Sequence, residues 1–123
     1  GDLSGAQINI EFDIEPEEAV FILIHLFGHT VQWCTDESAR DTSYAQDVKQ
    51  ADDRIAALEA YERQAVQYSL QLLHDLGITT LDQWVADYAA CDFAYLLHVY
   101  RTGEKLPEFI PSEWKSRWDG VVY

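Results

Sequence analysis

A mainly α fold is what this 123-residue sequence predicts: three main helices, one short strand before them and a C-terminal tail packed back on them. Three observations carry that expectation. Apolar residues recur at helical spacing over three long stretches, and turn or capping residues (Glu15-Pro16, Gly77, Thr79-Thr80, Gly103) mark their ends. Alternation with a period of two is clear only near the N-terminus. With 48% hydrophobic residues and four tryptophans, the length suits a single domain spanning 1–123 around one core. The chain opens on Gly1-Asp2 and contains no methionine, which predicts an internal fragment or a processed chain.

The strand is Gln7 to Ile14, where Ile8, Ile10, Phe12 and Ile14 fall on one face. A lone strand is not stable, so it requires a partner: another chain, the C-terminal tail, or strands lost from the N-terminal side. Glu15-Pro16-Glu17-Glu18 opens the first helix, with proline tolerated in the first turn and acids where the helix dipole favours them. That helix runs from about Pro16 to Cys34. Between Phe21 and Trp33 it is apolar almost all round, which predicts a buried helix.

Thr35 to about Gln50 is polar and acidic without an apolar period, and reads as a loop with Tyr44 as a local anchor. The second helix, about Ala51 to Leu76, keeps Ile55, Leu58, Ala65, Leu72 and Leu73 in helical period. It ends at Gly77 with His74 in its last turn. Thr80 is the expected cap of the third helix, with Gln83 completing a capping box, and that helix stops near Thr102-Gly103. In the tail from Lys105 to Tyr123, Trp114 and Trp118 are four apart and suggest a short helix. Val121-Val122-Tyr123 is a candidate strand beside Ile8 to Ile14.

Twenty-two acids against eight scattered bases give a net charge of −14. Phosphate-backbone binding rests on clustered Lys and Arg, so nucleic acid is not expected as a partner, whereas a protein or peptide is compatible. No apolar run reaches membrane length and no secretory signal pattern is visible, so neither a membrane span nor export is expected, and a cytoplasmic location is. Cys34 and Cys91 form no Cys-x-x-Cys and are expected to be reduced. Phosphate loops, Gly-x-Ser-x-Gly elbows and recognisable Cys–His pairings are all missing from the sequence.

Chemistry concentrates in the first helix. His25 and His29 stand four apart, so both imidazoles project from one face, one turn apart. A buried imidazole needs a partner for each ring nitrogen, and a cation would serve both rings at once. His-x-x-x-His is the spacing at which zinc-binding helices present two nitrogens to one ion. The other reading is two core histidines satisfied by separate neighbours. Gly28 costs the helix about 1 kcal/mol relative to alanine, which implies that another backbone or a ligand comes close there. Glu59 and Glu62 are three apart on the second helix and share a face. Asp92 and His98 on the third helix are candidates for supporting positions around a metal.

His25-Leu26-Phe27-Gly28-His29, followed by Thr30, Val31 and Gln32, resembles the His-Glu-Leu-Gly-His helix of gluzincin-type zinc metallopeptidases, the ImmA/IrrE-like group in particular. Glu62-Arg63-Gln64-Ala65, with Ser69 in place of a second alanine and then Leu72-Leu73, resembles the helix that carries that group's third ligand. The likeness spans roughly residues 20–73. It implies a zincin-like helical domain in which His25, His29 and Glu62 bind zinc. Glu59, Asp92 and His98 are, from their positions alone, the candidate supporting or alternative positions, with a solvated helix surface as the other reading of each. The departure is Leu26, which stands where that group has its general base. A degenerate, metallopeptidase-like domain acting by binding rather than by proteolysis is therefore expected. Two alternatives stay open: a zinc-dependent hydrolase with another carboxylate (Glu59 or Asp92) as base, and an interaction domain without metal.

Overall fold

The computed structural model describes residues 1–4, 7–42 and 50–105, and over them the protein is mainly α. In chain order come strands β1 (Asp2–Ser4) and β2 (Gln7–Asn9), then helices α1 (Pro16–Thr35), α2 (Glu37–Thr42), α3 (Asp52–Asp75) and α4 (Asp82–Thr102). Cys34 is exposed and Cys91 buried, and no disulfide joins them. Among the described residues, no helix is long and apolar enough to cross a membrane. The expected tail helix at Trp114 and Trp118, the strand at Val121–Tyr123 and the anchor Tyr44 lie outside the described residues.

The strand expected to reach Ile14 stops at Asn9. Its partner is the segment just before it: Asp2 faces Asn9, Leu3 faces Ile8 and Ser4 faces Gln7 in an antiparallel hairpin. A three-residue partner satisfies only three residues of ladder, so the chain turns after Ile10 although the alternation continues. Phe12, expected on a buried face, is 99% exposed.

α1 begins as expected, with Pro16 in its first turn beside Glu17 and Glu18. It is buried on one side only. Phe21, Ile24, Gly28, His29 and Gln32 are covered, while Val20 and Leu23 are about half exposed, so the all-round apolar character overstated its burial. The segment after it is not simply a loop. Asp36 Oδ1 accepts from the Ser38 backbone N–H at 2.9 Å and its hydroxyl at 2.7 Å, the N-cap contact that starts α2. Six residues with only Ala39 buried carry no apolar period, which is why the sequence pattern did not show them.

α3 ends as expected. Gly77 adopts φ +79, its N–H reaches the His74 carbonyl, and the Ile78 N–H reaches Leu73 at 2.8 Å. α4 does not start on the expected capping box. Leu81 occupies the N-cap with no side-chain cap bond, and Gln83 donates to Asp87 one turn further on. Leu81 packs against the core, and that apolar contact sets the start of the helix in place of Thr80.

The core is formed by Phe21 and Ile24 of α1, Val66 and Leu73 of α3, and Val85, Tyr88 and Ala89 of α4. Two registers organise it. α1 and α3 are antiparallel: Ser69 bonds the Ile24 carbonyl, Gly28 lies on Ala65, and Gln32 bonds the Tyr61 carbonyl. α1 and α4 are parallel: Glu17 accepts from Trp84 Nε1, and Phe21 stacks on Tyr88 at 4.3 Å. One turn further along both helices, the same register sets His25 level with Asp92.

Candidate metal centre

The helical spacing that puts His25 and His29 on one face also turns that face onto α3, where Glu62 is 5% exposed. Ligand atoms of His25, His29 and Glu62 lie within 4.8 Å of one another, and together they could hold a metal ion. His25 Nε2 is 3.0 Å from Glu62 Oε2, His29 Nε2 is 3.2 Å from the same oxygen, and the two Nε2 atoms are 3.2 Å apart. Side-chain exposures are 11%, 8% and 7%, so water does little of the neutralising.

The rings are held from behind. His25 stacks on Phe21 with centroids 5.3 Å apart, and His29 stacks on Tyr61 at 4.6 Å. Tyr61 is itself fixed by the Trp33 indole N–H, which donates to its hydroxyl at 2.9 Å. Ser69 Oγ faces the Ile24 carbonyl at 2.8 Å and the Ala65 carbonyl at 2.9 Å, pinning the two helix backbones beside Gly28.

Electrostatics follow from the burial. Burial by itself would raise Glu62, but the two imidazoles within 3.2 Å of its Oε2, those of His25 and His29, hold it down at about 2. Burial pulls His25 the other way, and its bond to Glu62 outweighs that and raises it. A cation fits this donor set: two imidazole nitrogens and an ionised carboxylate oxygen converge on one point.

The group opens onto a cleft of about 380 Å³ walled by Leu3, Leu26, Trp33, Tyr61, Asp92 and Leu96. Leu26 therefore lines the same cleft as His25, His29 and Glu62. Asp92 lines this cleft and a smaller cavity beside His25 and Glu62, whereas Glu59 lines only the smaller one. Glu59 is half exposed and pairs with Arg63 at 3.5 Å. His98 lines neither space. Burial pushes Asp92 up to about 6, with the charges of Glu62 and Glu18 adding to it and His25 opposing.

Sequence reasoning missed Gln32, which is 1% exposed and accepts from His29 Nδ1–H at 3.0 Å. The available signal was a polar side chain one turn past His29 on an otherwise apolar helix. No family model matches the chain, and no curated protein or solved structure matches it significantly.

Proposed function

We propose that this domain binds a single zinc ion through His25, His29 and Glu62, and that it acts by binding rather than by proteolysis. The observation that carries the reading is the convergence of three buried ligand atoms from two helices at the end of an open cleft. Two nitrogens and a carboxylate oxygen suit zinc, and three protein ligands leave a fourth position facing the cleft. Zinc bound there supplies Lewis acidity to whatever occupies that position. Leu26 carries no proton-transfer group, so water in the cleft has no base from the motif position. A protein or peptide segment held against Leu26, Trp33, Tyr61 and Leu96 is the partner that such walls suit. This is the reading that the likeness to gluzincin-type peptidases supports, with the general base lost.

The test is elemental analysis of the chain purified without chelating resin, beside His25→Ala, His29→Ala and Glu62→Gln. One zinc per wild-type chain and none in the variants is expected. Unchanged stoichiometry in the variants removes the assignment, and a wild-type chain that binds no zinc on titration leaves an interaction domain without metal.

One observation favours a second reading, a zinc-dependent hydrolase with Asp92 as base. Asp92 faces the same cleft as Leu26, from the opposing helix, while Glu59 is turned toward solvent and Arg63. Chelator-sensitive peptide cleavage by the wild type that Asp92→Asn abolishes would establish it over the binding reading.

A further inference from the structure

An imidazole that is to bind a cation must present a bare ring nitrogen, so readiness depends on where its hydrogen sits. For His29 the surroundings decide this. The Gln32 side-chain amide has two ends with opposite demands. One end lies 3.0 Å from the Tyr61 main-chain carbonyl, which can only accept, so that end is the NH2 group. The same NH2 reaches Gln64 Oε1 at 2.7 Å. The amide oxygen is then the atom 3.0 Å from His29 Nδ1, and an oxygen there requires Nδ1 to carry the hydrogen. His29 Nε2 is left bare in the neutral ring, 3.2 Å from Glu62 Oε2 and from His25 Nε2. His25 has no equivalent partner among the described residues, since its Nδ1 is buried and unbonded.

We infer that Gln32 is a positioning residue of the metal centre: it holds His29 as the Nδ1–H tautomer, so that Nε2 and the Glu62 carboxylate form a ready seat for a divalent cation. The inference rests on the metal-binding reading of the site. It ties the proton position of an α1 side chain to the α3 backbone, because the Tyr61 carbonyl orients the amide and the amide orients the imidazole. Outer partners of this kind fix ring orientation as well as tautomer, and losing one typically weakens metal binding about 10- to 100-fold.

The test uses the metal-free chain and zinc alone as the probe. Long-range proton–nitrogen correlation spectra of the wild type read the His29 tautomer directly. Nδ1–H is expected at neutral pH, and Nε2–H overturns the inference whatever any variant does. Gln32→Met keeps the volume and removes the acceptor. It is expected to lose the tautomer preference and to bind zinc about 10- to 100-fold more weakly at unchanged helical content. Gln64→Met leaves the acceptor in place and is expected to bind zinc like the wild type. A Gln32→Met chain that folds and holds zinc as tightly as the wild type also overturns the inference; if it does not fold, the wild-type spectrum decides. A wild type that binds no zinc defeats the metal reading, whereas an Nε2–H spectrum defeats the role of Gln32, so the two failures are distinct.

Discussion

Gly28 of α1 lies directly on the main-chain carbonyl of Ala65 in α3: a Cβ at position 28 would come 2.1 Å from that oxygen and 2.7 Å from Ser69 Oγ. This contact sets the distance between the helices that carry His25, His29 and Glu62. Gly28→Ala should therefore destabilise the protein by about 2 kcal/mol or more, since backbone cannot rotate away and the gain in helix propensity of about 1 kcal/mol is too small to offset it. Chemical denaturation measures the loss. Zinc affinity should fall with it, because parting α1 from α3 separates the histidines from Glu62. A variant as stable as the wild type would show that the helices are not held at this distance.

Acid should destabilise the metal-free chain through Glu62. Its ordinary value is 4.5 and folding depresses it to about 2, so its contribution is present above 4.5 and is lost as pH falls toward 2. The melting temperature is expected to drop across that window. Glu62→Gln should flatten the drop, and an acid limb of unchanged steepness in the variant would assign it to other carboxylates.

Asp92 has the opposite sign. Its value rises from 3.8 to about 6, so the fold favours its neutral form, and that favour is lost as pH rises through about 6. Asp92→Asn is expected to raise the melting temperature of the metal-free chain at pH 8 and to change it little at pH 4. Equal shifts at both pH values would point to packing rather than charge.

Leu26→Glu probes what the cleft lacks. The wild type is expected to leave casein and general peptide substrates uncut, with or without added zinc. Glutamate at this position restores a base beside the candidate ligands, and general-base assistance is worth about 10²–10⁴-fold. Hydrolysis gained by Leu26→Glu and abolished by chelators would show that the metal geometry is intact. Zinc-loaded Leu26→Glu protein that cleaves nothing would mean the cleft does not admit a scissile bond in reach.

The three long helices and the face shared by His25 and His29 were legible in the sequence because they depend on neighbours three or four residues away. Gly28 was legible for a related reason: a costly glycine inside an apolar helix implies a close approach, and Ala65 supplies it. What lay beyond local pattern was decided by packing between distant segments. The strand stopped at Asn9 because Asp2–Ser4 offers only three residues of ladder. Leu81 displaced Thr80 at the head of α4 by packing on the core. That Glu62 rather than Glu59 meets the histidines depends on the antiparallel register of α1 and α3, and that Asp92 shares their cleft depends on the parallel register of α1 and α4. Gln32 was hidden for the same reason: its amide takes its orientation from a Tyr61 carbonyl twenty-nine residues away in sequence, and local periodicity carries no record of that contact.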